Sequence, residues 1–212
     1  MSVRRTFAVL SAAALMGTAA VAGASAASAD DHSDDLGNRS LAMVLAKDGS
    51  GFDRNPWDYD ILDNAVQAVL KAKPESAVAV LADGDVPLTA FLPNDLAFRR
   101  LAADLTGTWS GSEEDVFTRV AGVGVDTVEA VLLYHVVPGM TIDSRAAKKA
   151  DGTNLDTALA GKSFTVDVRD GRIVLVDGDP DDANARVVAP DINKGNTQIA
   201  HGISRVLRPM DL

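Results

Sequence analysis

Tyr134 and His135 carry the most distinctive chemistry in the chain, because they interrupt the apolar run VLLYHVVPG at 131–139. An imidazole can move a proton, ligate a metal or fasten backbone by hydrogen bonding, and a phenol hydroxyl can do the last of these. Val131, Leu132, Leu133, Val136 and Val137 are apolar enough to lie in a core, which takes both polar groups inside with them. A buried O–H or N–H without a partner costs free energy, so each is expected to find one. Pro138 and Gly139 then stop regular structure, Pro by fixing φ and Gly by allowing positive φ. His201 lies in a second apolar stretch, TQIAHGISRVLRP at 197–209. A His135–His201 metal pair needs a third ligand, and the sequence nominates none at a recognisable spacing. Internal hydrogen bonding is the expected role of all three side chains.

Other reactive groups are plentiful but poorly arranged. Asp177, Asp179 and Asp181 alternate like the start of a calcium loop, yet Asp182 stands where such a loop requires Gly and Val188 where it requires Glu. A solvated acidic turn at 177–182 is the default, with calcium the alternative. His32 among aspartates belongs to a polar terminus. Ser50 and Ser110 lie in loop sequence with no His and Asp placed beside either. There is no Gly-x-Ser-x-Gly elbow, no His-Glu-x-x-His and no Gly-rich phosphate loop. A carboxylate-pair hydrolase is open on residue count alone, but its acids must flank a cleft. No cofactor and no catalytic residue are implied.

Composition sets the setting. Arg4 and Arg5, the apolar FAVLSAAALM at 7–16 and the small residues Ala27-Ser28-Ala29 read as an export signal over 1–29, with a second cleavage point at Ala26. An uncleaved anchor is the competing reading of this segment. Removing 29 of the 212 residues takes away two arginines and no acid, so 18 basic residues face 30 acidic ones and the formal charge moves from −10 to −12. That balance repels nucleic acid and anionic lipid surfaces. Cysteine is absent, which removes disulfides, thiolate catalysis and lipid attachment through Cys. No later stretch is apolar enough to span a bilayer, so no stable membrane insertion is expected after cleavage.

The elements that must position these side chains follow from periodicity. Residues 30–37 form an acidic spacer, and 38–57 a short helix, capped by Asn38, with a Gly/Pro loop after it. Trp57 is expected to pack as a lid. Asp58 caps a helix with the stripe Ile61, Leu62, Ala65, Val66 and Val69, which Pro74 stops. AVAVL (77–81) and PLTAFL (87–92) read as strands. In LTAFLPNDLAFRRL (88–101), Pro93 ends the strand, Asn94 or Asp95 caps the next helix, and Phe91 and Phe98 anchor the core. Ser112 with Asp115, and Asp126 with Glu129, form capping-box patterns before apolar runs. The second of these starts a helix over 127–135 that straightens at Val136-Val137. SFTVDV (163–168) and RIVLV (172–176) form a hairpin about Asp170-Gly171. VVAPDI (187–192), a turn at 193–196 and a last strand over 197–209 complete one domain over 58–212.

Together these residues resemble the fasciclin domain family. LTAFLPNDLAF (88–98) is similar to its first motif through Thr89, Phe91, Pro93, Asn94 and Phe98. LLYHVVPG (132–139) resembles its central motif through Tyr134, His135 and Pro138, and NTQIAHGISRVLRP (196–209) its closing motif through Asn196 and His201. Ser204 stands where the family usually has Asp, and 99–126 is long for the family. The resemblance implies an α/β (α+β) wedge of two small packed β-sheets with helices along one side. It further implies a non-catalytic, extracellular adhesion or ligand-binding module, whose partner is an unidentified extracellular protein or glycan. A secreted hydrolase and a small-molecule carrier are the alternatives.

Overall fold

The computed structural model describes residues 36–47, 49 and 51–210. The export segment, most of the acidic spacer, His32 and Ser50 lie outside those residues.

β1 (Leu88–Pro93) and β7 (Gln198–Ile203) are the central pair, parallel and in register from Leu88–Gln198 to Pro93–Ile203. Every residue of both strands is buried. Strands covered on both faces need continuous rather than alternating apolarity, which LTAFLP and QIAHGI largely supply. β2 (Val136–Pro138) lies antiparallel against β1. Beyond β7 come β6 (Ala185–Ile192), β5 (Arg172–Val176), β4 (Ser163–Arg169) and β3 (Asn154–Asp156), giving the continuous order β2-β1-β7-β6-β5-β4-β3.

β6 is the joint of this ladder. Ala185 and Arg186 pair with β5, while Val187, Ala189 and Ile192 pair with β7 through two register shifts. Pro190 sits within the second shift, where a missing N–H is tolerated. The ladder doubles back, so that Phe91 of β1 meets Phe164 of β4 edge-on at 5.2 Å between ring centres, although three strands separate them in the order. The expected wedge of two packed sheets is therefore present, as two halves of one ladder. Phe91, Tyr134, Val137, Phe164, Leu175 and Leu207 lie in the core between the halves.

α2 (Asp60–Ala72), α3 (Asp95–Thr106), α4 (Glu113–Ala121) and α5 (Val125–Tyr134) share a second core with Leu88, Ala90 and Leu92 of β1. α1 (Leu41–Leu45) packs into that core through Leu41 and Leu45. α6 (Ser144–Lys149) follows β2 and buries Ala147.

Several local expectations are corrected. AVAVL is a 3-10 helix over Ala77–Ala82, not a strand: Ser76 caps it, and Val78 and Leu81, three apart, are its buried pair. Ser40 rather than Asn38 caps α1. Asp58 does not cap α2, which follows Tyr59; the free N–H of Ile61 is instead accepted by Asp95, 34 residues on, at 3.1 Å. α5 begins after Gly124, and Asp126 and Glu129 turn outward to Lys73. The last strand stops at Ile203, and Val206 and Leu207 are buried beyond it. Trp57 is 62 % exposed and so is no packing lid. The Ser112 cap of α4, the Asn94 cap of α3 and the Asp170-Gly171 hairpin turn, with φ of 51° and 73°, are as expected.

Phe91→Ala removes the ring that joins the two halves and should cost about 3–5 kcal/mol of stability in a urea melt, the usual penalty for emptying a buried aromatic site.

Candidate functional site

His135 is the single residue between α5 and β2, and all of its polar atoms act across elements or back along the helix. Its ring Nδ1–H donates to the Val131 carbonyl one turn back at 2.7 Å, and its Nε2 accepts the Leu207 N–H at 2.8 Å. One nitrogen gives and the other takes, so the ring is neutral with its proton on Nδ1. The His135 carbonyl accepts the Phe91 N–H at 2.9 Å. One residue thus holds its own helix, β1 and the segment after β7. Burial pushes its pKa down from 6.5 to about 4, because a charged imidazole there loses its hydration.

Tyr134 is enclosed in the core between the sheet halves. Its hydroxyl donates to the Ser163 carbonyl at 2.9 Å, its ring lies edge-on to Phe164, and burial pushes the phenol up to about 12. His201 is fastened like His135 but with the opposite tautomer. Its Nε2–H donates to the Ile142 carbonyl at 2.8 Å, and its Nδ1 accepts the Asp191 N–H at 3.2 Å. Burial lowers its pKa as well. Since backbone takes all four ring nitrogens, neither histidine offers a lone pair to a metal or a substrate. Ser110, whose hydroxyl bonds Asp115 and accepts the Ser112 N–H, has neither histidine as a base.

The remaining motif residues are fasteners too. Thr89 donates to the Met140 carbonyl and accepts the Ile142 N–H, pinning the chain after β2. Asn94 accepts the Ala97 N–H, as a helix cap does, and Pro93 ends β1 in front of it. Phe91 stacks beside His201 at 5.5 Å, and Phe98 is buried on α3. Asn196 accepts the Arg39 N–H and donates to Asn193, which closes the N-terminal segment over the turn before β7. Pro138 is exposed at the end of β2. Phe91, Tyr134, His135 and His201 converge through their backbone or aromatic neighbours; Asn94, Pro138 and Asn196 stand apart at separate edges.

Two polar centres escape sequence reasoning. The acidic turn wraps basic side chains rather than facing water alone: Arg208 meets Asp179 at 3.0 Å, Asp104 at 2.6 Å and Asp182 at 3.4 Å. Asp177 accepts the Arg208 N–H, and Asp182 also meets Arg205. The run of Asp residues signalled charge, but nothing near it named Arg208, about thirty positions on. The second centre is buried, with Asp95 against Asp58 and Glu113, and Arg99 bonded to Glu113 at 2.8 Å. Burial raises the Asp95 pKa, and the neighbouring carboxyls add to it. Ser204, at the position where the family usually has Asp, accepts the Arg186 N–H through its hydroxyl and an Arg100 N–H through its carbonyl.

The doubled ladder, its helical layer and a Tyr-His pair locked by backbone define the class of domain. A family model described as Fasciclin domain matches residues 62–209, and the chain belongs to the fasciclin domain family. Among solved structures it is similar to a FAS1 domain pair from the insect cell adhesion molecule fasciclin I, at 15 % identity and a TM-score of 0.56. The match covers 81 % of this chain and 51 % of that one, so the chain spans about half of the insect pair. Comparison with curated proteins returned no match. Among the described residues no helix is long and apolar enough to cross a membrane.

His135→Ala should lower stability by about 1–3 kcal/mol in chemical denaturation, since it strands the Leu207 N–H and the Val131 carbonyl. The folded protein binds fewer protons at this ring than the unfolded chain does between pH 4 and 6.5. The stabilisation is therefore complete above pH 6.5 and lost as pH falls toward 4. The stability difference between wild type and His135→Gln should accordingly grow by about 3 kcal/mol as pH is raised across that window.

Proposed function

We propose that this chain is an exported, non-catalytic binding module that acts in adhesion at the cell envelope or in the extracellular matrix. The observation that carries the reading is the complete internal use of Tyr134, His135 and His201, whose polar side-chain atoms all go to backbone. A motif spent on holding elements together leaves recognition to the outer loops. Membership of a family typical of adhesion, and the export signal read from residues 1–29, support the same view.

The loops offer a surface suited to that work. Both tryptophans of the chain face solvent, Trp57 at 62 % and Trp109 at 56 % exposure. Their loops adjoin, because Glu113 at the start of α4 accepts the Asp53 N–H at 2.6 Å. Exposed tryptophan supplies large rigid contact area and is enriched among residues that dominate binding energy. The partner is an extracellular protein or a glycan, and the strongly negative charge disfavours nucleic acid.

The test is a panel of immobilised matrix proteins and glycans read by surface plasmon resonance. Saturable binding to at least one, weakened at least tenfold by Trp57→Ala with Trp109→Ala and unchanged by the folded Tyr134→Phe variant, is expected. A blank panel, or binding lost with Tyr134→Phe at unchanged stability, contradicts the reading. Turnover of glycoside or ester substrates, abolished by one Asp or Glu substitution, promotes the hydrolase instead.

A further inference from the structure

A hollow of about 140 Å³ opens in the helical layer, walled chiefly by Phe98, Leu101, Val120, Leu132 and Val206. Its lining contains no charged side chain. The two polar residues that reach it are Thr127 and His135, and the His135 nitrogens are both taken, so that ring offers only carbon and C–H edges. A second hollow of about 130 Å³ adjoins it, and the two share Ala65, Val120 and Val128. Leu105 and Val123, 41 % and 43 % exposed, stand at the mouth.

Size and chemistry select the occupant. Dry apolar cavities of roughly 150 Å³ take molecules the size of benzene, so the first hollow holds one ring or a short aliphatic chain. A helix, about 10 Å across, is too wide to enter such a space. Water gains nothing there, because it needs two or more polar partners. A carboxylate or ammonium group finds no counter-charge in the lining, and Asp104 and Asp126 flank the lining residues Leu105 and Thr127 in sequence.

We propose that this hollow is a binding site for a small, uncharged, apolar molecule, a hydrocarbon ring or aliphatic chain seated among α2, α3, α4 and α5. An unfilled apolar void leaves its lining atoms without contacts on one side, and such a ligand restores them. The segment 99–126 supplies Leu101, Leu105, Val120 and Val123 to the wall and mouth. The site is independent of the loop surface that carries Trp57 and Trp109, and a null result at one leaves the other standing.

The experiment is a fluorine NMR titration of the purified protein with the uncharged one-ring probe fluorobenzene at pH 8. A saturable shift is expected, displaced by hexanol at a concentration at least tenfold lower than by hexanoate. Leu105→Glu with Val123→Glu, both at exposed positions, should raise the apparent Kd at least tenfold, and Ala65→Phe should abolish the signal by filling the hollow. Should Ala65→Phe fail to fold, the mouth variant decides. A linear, unsaturable shift, a Kd indifferent to the mouth charges, or displacement by hexanoate as readily as by hexanol overturns the proposal.

Discussion

The fold depends on a buried imidazole that cannot afford a charge. His135 sits where a helix passes directly into a strand, a place where backbone groups lose their regular partners. Its ring accepts the Leu207 N–H and donates to the Val131 carbonyl, while its own carbonyl takes the Phe91 N–H. Each is an ordinary hydrogen bond, worth about 1 kcal/mol net. Their importance lies in location, because α5, β1 and the segment after β7 meet at one residue, and each bond left unmade would bury an unsatisfied group.

His201 repeats the device with the opposite proton position, and Tyr134 adds a third fastener to the Ser163 carbonyl. Between them these residues hold together the two halves of a ladder that doubles back at β6, with Phe91 and Phe164 packed in the space enclosed. The polar residues that look most chemical are thus consumed by architecture. The surfaces proposed for recognition are the exposed tryptophans and the apolar hollow among the helices.

Much of this was readable in the chain, and the exceptions have physical causes. The strand-to-helix passage at 88–101 was clear because Pro93 and Asn94 act on their immediate neighbours. The Asp170-Gly171 turn was clear for the same reason. AVAVL was misread because a short apolar run has no decisive period, and Ser76 tipped it into a 3-10 helix. The start of α2 was misread because its cap comes from Asp95 on another helix. Arg208 was invisible as a hub because its acids come from positions 104 and 177–182. Local chemistry shows in a sequence; pairing across the fold does not.

The account stands on His135 being a neutral internal fastener, and long-range nitrogen–proton NMR of its ring across pH 5 to 8 tests that directly. The predicted spectrum has the proton fixed on Nδ1 at every pH in the range, with no titration. A ring that titrates near pH 6.5, or that exchanges between tautomers, would show His135 open to solvent and return the Tyr-His pair to the list of possible reactive sites.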